Sequence, residues 1–284
     1  MNILHKQPHK KTKSIIPGFK LSFGITIAML SLIVLIPICS LAVYTSELSL
    51  SEFIETVTRP RVLASYKVSL TTALIASLIN AVMGLIIAWV LVRYDFPFKR
   101  IMDGMIELPF ALPTAVAGIS LTHLTVQNGW IGKIFAKYGI DIAYTKAGIT
   151  FALVFVGIPF VVRSVQPVLE KLDPQYEEAG GMLGASRAGI FFRIILPEIL
   201  PSLIAGFTMA FARCLGEYGS VVFIAGNTPY ETEIVPLMIM SELQEFDYPG
   251  ATSLALVMLL ASFVILFINA VVQSRNAKIV NNID

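Results

Sequence analysis

Long apolar blocks dominate the pattern of this 284-residue chain, and its polar residues gather in the segments between them. Within the blocks, polar residues do not recur at every turn, as they would in an amphipathic soluble helix. A transmembrane helix needs about 20 consecutive apolar residues. Six blocks are long enough, and we therefore predict six transmembrane helices. They cover residues 20–44, 67–92, 104–126, 146–166, 201–224 and 249–272.

Composition supports this interpretation, because only 14% of the residues are charged, whereas soluble domains contain about 25%. We therefore predict an all-α membrane protein in three parts. Residues 1–60 hold a basic N-terminus, a peripheral first helix and an outer loop, residues 61–275 form the core, and residues 276–284 form a tail. The first block exceeds the apolar region of a signal peptide, about 7–15 residues, so we expect it to be retained.

Lysine and arginine are distributed unequally between the two sides of the predicted bundle. Fourteen fall on the side of the N-terminus and six on the other side. Because cytoplasmic loops contain an excess of these residues, we expect both termini and the polar loop at 173–201 to be cytoplasmic. The two cysteines, Cys39 and Cys214, fall inside predicted spans, and they indicate neither a disulfide nor a metal site.

The polar loop between the fourth and fifth predicted spans contains its own helix signals. Asp173 and Pro174 form a typical helix start, an acidic cap followed by proline in the first turn. Gly184 can end that helix in a left-handed conformation. Ser186 can begin a second helix, which Pro197 is expected to stop.

The first of these loop helices has a narrow face of small and apolar residues. Tyr176, Ala179, Gly180 and Leu183 recur at the spacing of one helix face, and the two central residues would let another backbone approach closely. Two interpretations are open on these residues alone. The helix lies at the membrane interface, or it meets a partner outside the membrane.

The loop resembles the EAA loop of ABC importer permeases. The family pattern is E-A-A, three residues, G, nine residues, I, one residue, L-P, and every spacing holds here. The one departure is glycine at the third position, which lowers helix propensity by about 1 kcal/mol. The resemblance implies a short cytoplasmic coupling helix that docks on an ATPase subunit. The matching residues are Glu178, Ala179, Gly180, Gly184, Ile194, Leu196 and Pro197.

The sequence contains no nucleotide-binding loop of the G-x-x-x-x-G-K-[ST] type. Its only Gly-Lys pair, Gly132-Lys133, is followed by Ile134 and lacks the earlier glycine. We therefore expect a transport subunit and not an enzyme. ATP and Mg²⁺ would bind to the partner ATPase, and this chain would bind no cofactor and no metal.

Four further stretches are similar to the T-type permease of sulfate/thiosulfate importers. They are ELPFALPTAVAG (107–118), IPFVVRSVQPVLE (158–170), ARCLGEYGSVVFIAGN (212–227) and LQEFDYPGA (243–251). The resemblance implies a type I importer bundle of six helices in a bacterial inner membrane, or in a plastid envelope, where related permeases occur. It also implies a W-type permease partner, two ATPase subunits, a periplasmic sulfate/thiosulfate-binding protein and surrounding lipid, with no nucleic acid.

Two other functions fit parts of the pattern. Molybdate permeases share the EAA loop and a similar run around Arg213, so another oxyanion is an alternative substrate. A self-sufficient secondary anion transporter would also contain buried charges and broken helices. Such a transporter would have no reason to display an ATPase-docking helix.

Prolines and charges inside the spans are candidates for the translocation path or its gate. Pro109 and Pro113 each remove a backbone N–H donor, and they predict a kinked or unwound third span, either near the path or as a packing kink. Arg213 and Glu217 lie one turn apart in the fifth span. Either Arg213 lines the path of a dianion, or the two charges neutralise each other and brace the bundle or gate.

Acidic residues lie near the ends of the spans, one in the third span and five in an outer loop. Glu107 is expected to form a salt bridge at the membrane interface. The outer loop 225–248 contains five acids and no basic residue, so it would repel sulfate. We expect it to meet basic residues on the binding protein, to turn back into the pore mouth, or to stay solvated. The acids are Glu231, Glu233, Glu242, Glu245 and Asp247.

Overall fold

The computed structural model describes residues 19–280, so the expected basic N-terminus up to residue 18 and the last four residues of the tail lie outside it. Within this range the chain forms helices and loops without a strand, as predicted. In chain order the α-helices are α1 Phe19–Leu30, α2 Ile36–Thr45, α3 Leu50–Thr58, α4 Pro60–Arg93, α5 Lys99–Met105, α6 Leu108–Ala111, α7 Thr114–Thr125, α8 Gly132–Ala136, α9 Lys146–Lys171, α10 Gln175–Met182, α11 Arg187–Ile190, α12 Leu196–Leu215, α13 Val221–Ile224, α14 Val235–Gln244 and α15 Tyr248–Val280.

Five helical stretches of the described chain are long and apolar enough to cross a membrane. They correspond to five of the six predicted blocks, although several of their ends differ. Two of them are continuous helices made of α-helical parts joined by a π-helical turn. The five stretches are Leu21–Thr45, Pro60–Arg93, Lys146–Lys171, Arg187–Leu215 and Tyr248–Val271.

The predicted third span, residues 104–126, is broken into shorter helices, so five of the six predicted spans appear as long apolar helices in the described chain. The short helices α5, α6 and α7 occupy the segment, and Leu112 between α6 and α7 is extended, with φ −84° and ψ 136°. Pro113 explains the break, because a residue that precedes proline is driven out of the helical region. The structure therefore confirms the unwinding predicted from Pro109 and Pro113.

The broken segment still connects the two ends of the bundle. We call the end where α10 lies the loop end. The C-terminal end of α4 lies at the loop end, as the ion pair between Arg93 in its last turn and Glu177 of α10 shows. Helix α9 also ends there, and it therefore begins at the far end. The chain from α5 to α8 must run from the loop end to the far end.

The fifth span begins and ends earlier than predicted. It ends at Leu215, and residues 216–220 are unwound before α13.

Pro197 does not stop the helix, contrary to prediction. A π-helical turn, Phe191–Ile195, directly precedes it and places Pro197 in the first turn of α12, where no N–H donor is needed. The same arrangement occurs at Pro37 in α2.

Helices α4, α9 and α12 form the closely packed centre of the bundle. Gly84 of α4 and Gly206 of α12 both face Val161 of α9, which is fully buried. A β-carbon at position 84 would lie 2.7 Å from Val161 Cγ1, and one at position 206 would lie 2.8 Å from Val161 Cα. Small residues at such contacts let transmembrane helices approach each other closely.

The first transmembrane stretch is peripheral, as predicted. It meets α15 near the far end, where Thr45 Oγ1 donates to Thr252 Oγ1 at 3.2 Å and the rings of Tyr44 and Tyr248 lie 6.2 Å apart. None of its most apolar 18-residue window is buried within this chain. Its side chains are therefore accessible to lipid.

We predict that Gly206→Ala destabilises the bundle by about 1–3 kcal/mol, because the added methyl overlaps a backbone atom that cannot turn away. The measurement is the midpoint of thermal unfolding in detergent. Gly24→Ala in α1 is the control, since a β-carbon there would meet nothing within 4 Å. An equal midpoint for the two variants would contradict the close α9–α12 contact.

Candidate functional site

The first loop helix, α10, has a defined cap at each end. Asp173 Oδ1 accepts a hydrogen bond from the Gln175 amide at 2.9 Å. At the other end Gly184 has φ +80°, and the Ala185 amide donates to the Gly180 carbonyl at 3.0 Å. This is a Schellman motif, in which a left-handed glycine ends the helix. The predicted start and the predicted left-handed cap are confirmed.

Gly180, which was predicted to let another backbone approach closely, lies instead against side chains of its own chain. It is buried, and a β-carbon at this position would lie 3.1 Å from Ile190 Cγ1 and from Ile194 Cδ1. The reason is that Gly184 turns the chain back, so that α11 and the following turn lie against α10. Two of the motif positions, Gly180 and Ile194, thus join the two arms of the loop.

The outward side of α10 carries an apolar patch, which we define as Tyr176, Ala179, Met182 and Leu183. Met182 and Leu183 are 84% and 88% exposed, and the other two are exposed as well. Glu178 beside the patch is also exposed. Apolar side chains presented together on a polar loop typically mark an interaction surface.

The loop rests on the last turn of α4 through two contacts. Arg93 Nη2 lies 2.5 Å from Glu177 Oε1 on α10, as an ion pair without hydrogen-bond alignment. The Arg93 guanidinium also lies over the Trp89 ring, 5.6 Å from its centroid, and that ring meets Phe191 edge-on at 5.5 Å. Arg93 and Trp89 therefore hold both arms of the loop against the bundle.

The two neighbouring acids of α10, Glu177 and Glu178, have different surroundings. Glu177 points to the bundle and is paired, whereas Glu178 is free on the surface within the described residues. The remaining motif residues, Leu196 and Pro197, lie in the first turn of α12. Leu196 packs on the core and Pro197 is exposed.

The breaks in the third and fifth spans meet inside the bundle. A β-carbon at Gly118 of α7 would lie 2.5 Å from the Ser220 carbonyl oxygen, and one at Gly219 would overlap the Thr114 hydroxyl. The start of α7 therefore contacts the unwound stretch 216–220 directly. We call this contact the break junction.

Glu217 holds the unwound stretch at the break junction. It is 2% exposed, its Oε2 lies 2.5 Å from Arg213 Nη1, and its Oε1 accepts hydrogen bonds from the Ser220 amide at 2.9 Å and the Ser220 hydroxyl at 3.0 Å. The Arg213 side chain is 37% exposed. The two charges neutralise each other, which favours the bracing role over a free cation for a dianion.

The two prolines of the third span have different surroundings. Pro109 is buried and lines an apolar cavity of about 430 Å³ together with residues of α4, α5 and α9. Pro113 is exposed and forms the N-terminal cap of α7 at the break junction. Pro113 is therefore the proline that shapes the junction, and Pro109 packs on the bundle.

Arg163 connects α9 to the first part of the broken span. Its Nη1 donates to Asp103 Oδ1 at 2.6 Å, and its Nη2 donates to the Asp103 carbonyl at 2.9 Å. Its Nη2 also lies 2.9 Å from Glu107 Oε1. The salt bridge expected for Glu107 is confirmed, and its partner is Arg163.

Acids of the outer loop meet arginines from the start of α4 at the far end. Arg61 binds both carboxylate oxygens of Glu233, at 2.8 and 2.7 Å, and Glu233 is 1% exposed. Burial raises the pKa of Glu242, with Asp247 and Glu245 adding to the shift and Arg59 opposing it. The loop is therefore partly neutralised by its own chain, and not simply solvated. Glu231 and Glu245 stay exposed.

Three charged contacts, those of Arg61, Arg93 and Arg163, were not predicted from the sequence. Their partners lie 172, 84 and 60 positions away, so no local spacing indicates them. The only available signal was position, because each arginine lies near the end of a predicted span, where a charge needs an interfacial partner.

The described chain is a helical membrane bundle with an exposed, capped helix at one end. Residues 80–278 match the family described as binding-protein-dependent transport system inner membrane component. The protein is therefore a permease of the ABC importer class.

Individual relatives define the family within that class. The chain is 48% identical over 264 residues to the sulfate transport system permease protein CysT of Salmonella typhimurium, covering 93% of this chain and 95% of the relative. It is 43% identical over 258 residues to the protein of the same name from Synechocystis sp., covering 91% and 90%. The chain belongs to the CysT family of sulfate transport system permeases.

Solved structures share the fold. One is a bacterial ABC transporter involved in the import of the acidic polysaccharide alginate, with a TM-score of 0.74, 17% identity, and coverage of 91% of this chain and 96% of that chain. Another is an inward-facing MetNI methionine ABC transporter, with a TM-score of 0.57, 16% identity, and coverage of 75% and 94%. At these identities the similarity concerns the fold.

We predict that Glu217→Ala lowers the free energy of unfolding by about 2–4 kcal/mol, because it leaves Arg213 unpaired and the Ser220 amide without its acceptor. Glu217→Gln removes the charge but keeps an amide oxygen as an acceptor for Ser220. It should therefore lower the free energy of unfolding clearly less than Glu217→Ala does. The measurement is thermal unfolding in detergent. Equal losses for the two variants would show that the Ser220 hydrogen bonds contribute nothing.

Proposed function

We propose that this chain is the membrane-spanning permease subunit of an ATP-driven importer that moves sulfate and thiosulfate inward. The observation that carries the proposal is α10, a capped helix whose apolar patch is exposed at one end of a membrane bundle. The substrate class is supported by the identity of 48% to a sulfate transport system permease across nearly the whole chain.

The proposed role of the loop is to dock on an ATPase subunit. Tyr176, Ala179, Met182 and Leu183 would bury their apolar surface in the partner, and Glu178 would lie at the rim. ATP and Mg²⁺ would bind to that partner, and two ATPase subunits would serve a pair of permeases. The loop end is then cytoplasmic, as the lysine and arginine distribution favours.

The far end would face the periplasm in a bacterial inner membrane and receive a sulfate/thiosulfate-binding protein. One similar solved structure is a bacterial alginate ABC transporter in complex with a substrate-bound periplasmic protein, which supports a receptor of this kind. Exposed Glu231 and Glu245 would meet basic residues on it. The second permease of the pair would be a W-type subunit, packed beside this chain in the lipid.

The break junction is the proposed gate of the translocation path. Pro113 and the unwound stretch 216–220 both interrupt helices at the same place, and interrupted helices in transporters line substrate paths. Arg213 is neutralised by Glu217 in this arrangement, so it braces the junction and attracts an anion only weakly. The gate residues proposed are Pro109, Pro113, Arg213 and Glu217, of which Pro109 acts by packing.

We expect Gly184→Asp to abolish co-purification of the ATPase subunit, because a residue with a β-carbon in the left-handed region costs about 1–2 kcal/mol and opens the end of α10. Gly181→Asp is the matched control. It adds the same charge three residues earlier, within α10. Gly181 has no positive φ, and a β-carbon there would meet nothing within 4 Å. Retention of the ATPase by Gly184→Asp, with uptake intact, would contradict docking through α10.

We expect labelled sulfate uptake by cells to require this chain, to be suppressed by excess thiosulfate, and to be suppressed only weakly by equimolar molybdate. Cells that lack the chain are the control. Stronger suppression by molybdate would make molybdate the substrate. Sulfate uptake that is indifferent to the chain would overturn the substrate assignment, and uptake with no ATPase bound would favour a secondary transporter.

A further inference from the structure

Arg163 contacts four acceptors through its two terminal nitrogens, while its buried Nε has no hydrogen-bond partner. Besides its bonds to the side chain and carbonyl of Asp103 and its contact with Glu107, its Nη1 donates to Gln166 Oε1 at 2.7 Å. Three of the four acceptors are therefore charged or backbone groups on another segment. The planar guanidinium can bind several acceptors at fixed angles, which a lysine cannot do.

The segment that Arg163 holds has little packing of its own. In α5, Ile101, Met102 and Met105 are 59%, 50% and 55% exposed, and a β-carbon at Gly104 would meet nothing within 4 Å. Charged hydrogen bonds are worth about twice neutral ones. The contacts of Arg163 with Asp103 and Glu107 therefore largely fix the position of α5 against α9.

Arg163 lies between the loop and the break junction in the path of the chain. Helix α9, which carries Arg163, ends at Lys171 and leads into α10 after three residues. On its other side, Glu107 directly precedes α6, and the extended Leu112 follows α6. From there the chain enters α7 at the break junction. A displacement of α10 can thus move α9 and, through Arg163, the helices α5 and α6 of the broken span.

We propose that Arg163 is a positioning residue that transmits movement of α10 to the break in the third span. This inference rests on the proposed function, since it requires an ATPase that moves α10. Without the Arg163 contacts, α5 and α6 would not follow α9, and ATP hydrolysis would no longer be tied to opening at the break junction. Docking of the ATPase would persist, because Arg163 does not contact the loop patch.

The first test measures transport and hydrolysis together in the complete complex, reconstituted in proteoliposomes with its binding protein. For Arg163→Ala we expect ATP hydrolysis to continue while the sulfate transported per ATP falls by about two- to thirty-fold, the range for residues along a coupling network. For Arg163→Lys, the sulfate transported per ATP should lie between the values for Arg163→Ala and wild type. Arg163→Asp combined with Asp103→Arg should recover part of the ratio.

Lys171→Ala is the matched control, because Lys171 lies on the same helix, is exposed, and has no ion pair within the described residues. Its ratio of sulfate to ATP should equal that of wild type. An unchanged ratio in Arg163→Ala, with uptake and hydrolysis lowered together, would mean that Arg163 only stabilises the bundle and would overturn the inference. If Arg163→Ala does not assemble into the complex, the ratio of sulfate transported to ATP hydrolysed is measured for Asp103→Asn and judged in the same way.

A second measurement does not depend on the identity of the substrate. Spin labels at Ile101→Cys in α5 and Leu78→Cys in α4, with Cys39 and Cys214 replaced by serine, report the α5–α4 distance when ATP is added to the assembled complex. We expect an ATP-dependent shift that Arg163→Ala abolishes and Lys171→Ala preserves. The same shift in Arg163→Ala would overturn the inference. Absence of sulfate uptake by wild type, with the shift intact, would instead overturn the proposed substrate alone.

Discussion

Backbone groups that leave a helix inside a bilayer must find partners within the protein, because lipid offers none. Two of the interruptions in the described part of this chain, at Leu112–Pro113 and at 216–220, lie close to each other. Gly118 and Gly219 permit the contact, since a side chain at either position would collide with the facing segment. Glu217 then supplies an acceptor for the Ser220 amide. The position of α7, and through it the route of the third span, depends on this close contact.

Charged residues fix which parts of the chain become neighbours around that junction. The Arg61, Arg93 and Arg163 contacts each join segments at least 60 positions apart, at the far end, the loop end and the broken span respectively. An ion pair at a membrane boundary contributes little net stability once desolvation is included, but an unpaired charge there is costly. These pairs therefore act mainly by excluding other arrangements of the helices. The orientation of α10 is one result, since Glu177 and not Glu178 is drawn to Arg93.

Sequence patterns predicted the features that depend on local chemistry. The length of the apolar blocks predicted a membrane protein and five of its spans. Asp173, Gly184 and Ser186 predicted ends of the loop helices. The break at Leu112 was expected from Pro113, but apolar residues continue through it, so hydropathy alone indicated a span. Pro197 misled because the π-helical turn before it has no sequence signature. The inward turn of Gly180 depends on Ile190 and Ile194, which a helical-face pattern within α10 does not include.

Charge placement also bears on how a dianion would pass through such a bundle. A path that is to release an anion must not hold it strongly, and the one arginine at the break junction is already neutralised by Glu217. At the far end, Arg61 is occupied by Glu233, and Glu231 and Glu245 are exposed, so these residues offer a free dianion little attraction. Under the proposed function, both features favour an anion handed over by a bound partner over one captured from solution. Under the same proposal, discrimination among oxyanions would lie in the partner that delivers the anion, and this chain would provide the path.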